Sequence, residues 1–372
     1  MRKSRLARGI VALMLAAMAA GALAASAAGP PAAAPKDVAP EKKADPVYTE
    51  AAEAGPDLAV QGEYEGTIAG GAKLAAQVIA CGGGTYQAVF YRGGLPGAGW
   101  DKSQRVALDG KTQADKAVFA PSDAKKKYLG KTPEEFSALK TPPAKQPDWS
   151  AAIEGGKMAG KTDKGEAFDL KRIERASPTL GAKPAAGAIV LFDGTNKDAW
   201  EGGRVDEKAK TLCTDGRDVK TKQKFLNYTM HVEFCLPFRP AARGQGRGNS
   251  GFYQVDLYEV QILDSFGLEG ASNECGGLYG KTAPTVNMCL PPLVWQTYDV
   301  DFQSAQADPS GAKTKNAVIT LRHNGVVIHE NLEIGGKTGG SRNEPEGTPG
   351  PIRLQGHGNP LQFRNIWIVE KK

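Results

Sequence analysis

Two short stretches of the chain hold residue types that could do chemistry together. One is Tyr258-Glu-Val-Gln-Ile-Leu-Asp264, with a carboxyl group at Glu259, an amide at Gln261 and a second acid at Asp264. The other is Ile352-Arg-Leu-Gln-Gly-His357, with a guanidinium at Arg353, an amide at Gln355 and an imidazole at His357. An acid and an imidazole can move protons. A guanidinium can steady a developing anion, and amides can hold hydroxyl groups. Glu259 and His357 also form a carboxylate–imidazole pair of the kind that suits a divalent metal ion such as Mn or Zn, although no dense ligand motif accompanies them. His357 lies between two glycines, which leaves its ring accessible. Asp264 falls where its strand should end, so it either caps a turn or joins the site.

Both stretches alternate with the period of a half-buried strand. Tyr258, Val260 and Ile262 share one face, Glu259 and Gln261 the other. Likewise Ile352 and Leu354 oppose Arg353, Gln355 and His357. If the polar faces belong to one sheet, they form a polar groove on an apolar sandwich, a setting suited to a sugar. The competing reading of Glu259 is an outer-face acid in water, since one face of an antiparallel sheet is commonly wet. Asn249 is placed to hold a loop or a ligand, and Arg364 to buttress an acid or bind substrate. Trp295 reads as core. His231, His323 and His329 read as surface residues.

The remaining elements follow the same pattern. Phe225 to Cys235, Trp295 to Phe302, Ala317 to Arg322, Val326 to His329 and Leu361 to Val369 read as strands, with an Asn324-Gly325 hairpin between two of them. Earlier, Gln77 to Ala80, Thr85 to Tyr91, Ala117 to Ala120, Ala151 to Glu154 and Ala167 to Ile173 read as shorter strands. Gly93-Gly-Leu-Pro-Gly-Ala-Gly-Trp100 lacks the Lys-Ser/Thr ending and following helix of a phosphate cradle, and reads as a structural turn. Many short strands with almost no helix signal predict an all-β protein, a C-terminal jelly-roll β-sandwich preceded by a small β-rich domain.

Composition sets the outer bounds. The chain has 372 residues, 41% apolar and 24% charged, with 46 Gly and 24 Pro, enough for two cores. Arg2, Lys3, Arg5 and Arg8 precede an apolar run from Ile10 to Ala20 and a small-residue end at Ala25-Ser26-Ala27. That is the pattern of an export signal. Cleavage there takes the formal charge from +6 to +2 (+6 − 4), which disfavours nucleic acid as a partner. The expected division is a signal peptide at 1–27, a Pro/Ala-rich linker at 28–57, a small β-rich domain at 58–176, a linker at 177–187 and a jelly roll at 188–372. The expected location is periplasmic or extracellular, with no transmembrane segment after signal removal and a carbohydrate as partner. Five cysteines, at 81, 213, 235, 275 and 289, could include a Cys275–Cys289 bridge, or these two could be small buried residues.

Several motifs in order carry a resemblance. They are Leu191-Phe-Asp-Gly-Thr195 with Trp200, Asn249-Ser-Gly251, Tyr258 to Asp264, Gly277-Leu-Tyr-Gly280, Trp295, Asn324-Gly325, Leu354-Gln-Gly-His357 and Phe363-Arg-Asn-Ile366. Together they resemble the 3-keto-disaccharide hydrolase family from about Ala188 to Lys372. The resemblance implies a concanavalin A-like jelly roll, related in shape to lectins and endoglucanases, and action on glycosides whose sugar carries a ketone at C3. A C3 ketone acidifies the C2 hydrogen, so a base could remove it and the C1 substituent could leave. Glu259 is the first choice of base and His357 the second. Arg353, or a metal shared by Glu259 and His357, would stabilise the enolate. Asn249, Gln261, Gln355 and Arg364 complete the expected substrate contacts. Endoglucanases of this fold carry Glu-x-Asp-x-(x)-Glu on one strand. Here Glu259-x-Gln261-x-x-Asp264 lacks the second glutamate, which counts against a two-carboxylate glycosidase. A lectin-like binding protein on the same fold is the alternative.

Overall fold

The computed structural model describes residues 45–122 and 125–371. The expected signal peptide and most of the expected first linker lie outside the described residues. Asp45–Lys372 form one compact unit. It is almost entirely β, built as a closed barrel followed by a two-sheet sandwich.

The barrel has eight antiparallel strands, ordered Gly62–Ile68, Ala167–Ile173, Lys157–Lys161, Ser150–Glu154, Lys116–Ala120, Val106–Gln113, Thr85–Arg92 and Lys73–Gly82, which pairs again with the first. Closure joins its first and last strands, Glu63 opposite Ile173 and Thr67 opposite Asp169, and leaves no unpaired edge. Inward positions carry Tyr64, Val78, Phe90, Phe119, Met158 and Leu170, all buried. Phe90, Trp149 and Phe168 meet at ring-centroid distances of 5.4, 5.6 and 5.9 Å.

The sandwich packs an eight-stranded sheet on a five-stranded one. The larger sheet is centred on Gln362–Glu370, Tyr228–Cys235, Trp295–Gln303 and Ala317–His323. In the smaller sheet Arg353–Leu354, Asn249–Gln254 and Tyr258–Leu263 are neighbours. Inner faces meet through aromatic rings, Phe252 on Tyr298 at 6.2 Å and Tyr258 on Phe302 at 5.7 Å. These are the aliphatic and aromatic faces expected from alternation. Among the described residues no helix is long and apolar enough to cross a membrane.

Barrel and sandwich are tied together at several points. Arg243 donates to the Cys81 carbonyl at 2.7 Å. Arg105 pairs with Glu269 at 2.8 Å, and the Tyr128 hydroxyl hydrogen-bonds Glu274. The connecting segment is also pinned. Ser177 and Thr179 hydrogen-bond Thr297 at 2.6 and 2.9 Å, Thr179 donates to Asp299 at 2.7 Å, and the Gly181 N–H donates to Glu233 at 2.6 Å. This strap covers His231, which the sequence reading placed on the surface and which is fully buried. His323 and His329 are buried as well. His323 shares the inner face of Ala317, Ile319 and Leu321 and packs on Tyr298 at 4.8 Å, and His329 stands opposite Leu321 and hydrogen-bonds the Gly276 carbonyl at 2.7 Å. All five cysteines are free and buried. Cys275 and Cys289 are free thiols rather than a bridge: Cys275 lies 3.2 Å from the Tyr298 hydroxyl, and Cys289 donates to the Leu290 carbonyl at 3.4 Å.

Burial alone would lower the pKa of His231, but its bonds to Asp299 (2.6 Å) and Glu233 (3.5 Å) outweigh it and raise the pKa to about 8. A histidine pKa raised on folding adds stability that is present in full below the unfolded pKa near 6.5 and is lost as pH rises through about 8. Thermal melts from pH 6 to 9 should therefore show His231→Gln losing most of its cost relative to the parent at the alkaline end. A cost independent of pH would mean that the imidazolium contributes nothing.

The Asn324-Gly325 hairpin has φ of 50° and 79°, positive at both positions as a type I′ turn requires. A Cβ at Gly325 would also collide with the Pro178 ring. Gly325→Val should cost about 1 kcal/mol or more, and an unchanged melting temperature would contradict this.

Candidate functional site

The strand Tyr258–Leu263 turns Glu259 and Gln261 away from the sandwich core, yet neither reaches bulk water. The segment 276–282 pairs along this edge: the Gln261 N–H donates to the Gly277 carbonyl at 2.8 Å and the Tyr279 N–H to the Glu259 carbonyl at 3.0 Å. On the same edge the Thr338 hydroxyl accepts the Glu259 N–H at 2.9 Å. Glu259 is 3% exposed, so the water-facing reading does not apply. The loops leave a pocket of about 230 Å³ lined by Gln245, Asn249, Tyr253, Glu259, Gln261, Tyr279, Gln355 and His357, with backbone from Gly339 and Gly340.

Register explains the convergence. Tyr253 stands directly opposite both Glu259 and Arg353, and Gly251 opposite Gln261. Asn249, Gly251 and Tyr253 therefore share the face of Glu259 and Gln261. A Cβ at Gly251 would collide with the Glu259 carboxylate, so glycine is what leaves room for the acid.

Glu259 receives the Tyr253 hydroxyl at 2.8 Å. The same hydroxyl lies 2.8 Å from the Gly339 carbonyl. It has one proton, so it donates to one acceptor at a time. If Glu259 is protonated, the acid donates to the tyrosine oxygen and the tyrosine donates to Gly339, so either protonation state is accommodated. Burial pushes the Glu259 pKa up to about 7, with the Tyr253 hydrogen bond and the Arg353 charge pulling the other way. Burial also raises Tyr253, helped by the nearby Glu259.

Gln245 organises the amides. Its side-chain oxygen accepts from Asn249 at 3.1 Å and from Gln261 at 3.0 Å, while its own NH₂ donates to the Asn273 carbonyl at 2.7 Å. The remaining oxygens of Asn249 and Gln261 are buried without a partner among the described residues. A buried acceptor left unpaired costs about 1–3 kcal/mol, a cost that a ligand's hydroxyl protons would relieve.

The pocket thus gathers Glu259, His357, Asn249, Gln261 and Gln355. His357 is exposed at its rim. Three other expected site residues lie elsewhere. Asp264 is 1% exposed and pairs with Arg247 at 2.8 Å. Arg364 belongs to the larger sheet, where it pairs with Glu233 at 2.7 Å and covers Trp295 at 4.0 Å. Arg353 stands behind the pocket, its guanidinium 3.6 Å from the Tyr253 ring centroid, paired with Asp256 at 2.7 Å and Asp218 at 3.1 Å. Among the described residues no group of three or more His, Cys, Asp or Glu is placed to hold a metal ion.

Three pocket residues carried no expected role. Tyr253 was readable, since it continues the alternation of Asn249 and Gly251. Tyr279 sits inside Gly277-Leu-Tyr-Gly280 but only the edge pairing shows its purpose. Gln245 comes from a glycine-rich turn with no periodic signal.

Residues 187–369 match the family model described as the 3-keto-alpha-glucoside-1,2-lyase-like domain. Two solved structures from Parabacteroides distasonis, each a glycosyl hydrolase candidate, are similar. One is 33% identical, with 50% of this chain and 84% of that chain covered and a TM-score of 0.46. The other is 19% identical, with 50% and 94% covered and a TM-score of 0.38. No curated protein matches. Residues 187–369 therefore belong to the 3-keto-alpha-glucoside-1,2-lyase-like family, a carbohydrate-acting family, and the barrel lies outside the match.

Proposed function

We propose that the pocket cleaves a 3-keto-glycoside by elimination across C1 and C2. The observation that carries this is a buried carboxyl group with a pKa of about 7, set among unpaired hydrogen-bond acceptors. Glu259 removes the C2 proton. The C–H electrons form the enolate with the C3 oxygen, then return to make the C1–C2 double bond as the C1–O bond breaks. The leaving oxygen takes a proton, a role we assign to His357 at the rim of the lining. Addition of water to the double bond would complete a net hydrolysis. Tyr253, braced by Arg353, passes hydrogen bonding between Glu259 and Gly339 as Glu259 gains the proton. Asn249 and Gln261 accept from sugar hydroxyls. An exported location belongs to the same reading and rests on the basic and apolar start of the sequence.

Replacing Glu259 by Gln should lower turnover of a 3-keto-disaccharide by about 10²-fold or more. It should also abolish deuterium exchange at C2, followed by NMR. Equal turnover and exchange in the Glu259→Gln and His357→Ala variants would overturn the proposal and favour a lectin-like role.

The rate should depend on ionised Glu259. In the parent, kcat/KM should rise with pH and reach half its plateau near pH 7, the value to which burial raises this acid. A stability signature accompanies it. An acid raised on folding loses stability as pH climbs from its unfolded value near 4.5 to about 7. Glu259→Gln should thus raise the melting temperature more at pH 8 than at pH 5. An equal shift at both would show that the acid is not held protonated.

A further inference from the structure

A cavity lies away from this pocket, where the glycine-rich loop of the barrel meets the sandwich. It measures about 420 Å³ and is lined by Tyr91, Trp100, Lys102, Arg105, Glu269 and Asn287 among others. A second cavity of about 240 Å³ adjoins it and shares Trp100, Lys102, Arg105 and Glu269. Trp100 is half-buried and borders both.

We infer that this cleft is a second carbohydrate-binding site, for an oligosaccharide bearing carboxylate groups. Four observations support it. The indole is held ready: Tyr91 packs edge-on at 5.4 Å and the Arg105 guanidinium lies 5.3 Å from its centroid. The loop that carries it has little freedom, since a Cβ at Gly93 would sit 2.6 Å from the Gly99 carbonyl and one at Gly97 would collide with Met288 of the sandwich. The indole N–H is buried without an acceptor among the described residues, although tryptophan donors are normally satisfied. The charge is unbalanced. Glu269 is already matched by Arg105 at 2.8 Å and by the Lys140 N–H at 3.0 Å. Lys102 lines both cavities and makes no salt bridge to an anionic side chain among the described residues. Asp101 beside it accepts the Ser103 N–H at 2.8 Å and lines neither cavity. An aromatic platform, an unused donor and an unmatched ammonium suit a pyranose ring carrying a carboxylate.

Isothermal titration of the full chain with an oligogalacturonide and with a neutral cello-oligosaccharide of equal length tests this. The acidic ligand should bind about ten-fold tighter or more, as expected for one charge-assisted contact. Lys102→Gln should erase the difference, while Glu259→Gln in the other pocket should preserve it. Lys102 is exposed at φ 62° and glutamine meets the same backbone demand, so this variant should fold as the parent does. Trp100→Ala should weaken both ligands. No binding, equal affinity for the two ligands, or binding lost in Glu259→Gln but kept in Lys102→Gln would each overturn the inference.

Discussion

Shutting one carboxyl group away from water shapes the C-terminal half of the chain. An ionised acid moved from water into protein loses solvation, and the protonated form gains by comparison. Glu259 feels this because two loops close over its strand. It remains tolerable because Tyr253 can act as donor or acceptor and Arg353 stands behind the ring. Neighbouring features answer to that constraint. Gly251 gives up a side chain to make room, and Thr338 satisfies the strand's backbone. The segment 276–282 seals the edge while bringing Tyr279 to the wall.

The barrel contributes to this arrangement without touching the pocket. Arg247, which holds Asp264, also reaches the Ala80 carbonyl at 3.5 Å, and Arg243 is fixed to Cys81. Between these two arginines lies Gln245, the residue that orients the amides. Tyr128 meets Glu274 in the loop that supplies the Asn273 carbonyl to Gln245. The turn that carries the organising amide is thus anchored to barrel strands.

Alternation made the sandwich legible, because the inner faces at Tyr258, Val260, Ile262 and Leu354 are set by a period of two that tertiary contacts do not alter. It also brought Glu259, Gln261, Gln355 and His357 to one sheet face. Alternation does not reveal what lies above an outer face. For that reason His231 reads as wet and is buried, and Asp264 and Arg364 read as site residues although each is committed to an ion pair. His323 and His329 fall on, or opposite, inner positions of their hairpin, and there residue polarity rather than period misled the reading. Barrel closure was invisible for a related reason. It rests on pairing between Gly62–Ile68 and Ala167–Ile173, strands separated by most of that domain, and no local pattern records such a contact.

The geometry of Gln245 has a further consequence. One oxygen receiving two amide protons fixes how both donors are turned, since rotating either amide would set oxygen against oxygen. The two outward oxygens of Asn249 and Gln261 then present a wall of uniform polarity. A ligand can meet that wall only with hydrogens, and a carbonyl set against it would face lone pair to lone pair. Under the proposed function, a sugar entering this pocket would be sorted by orientation as well as by fit, with a hydroxyl edge rather than a carbonyl turned toward the amides.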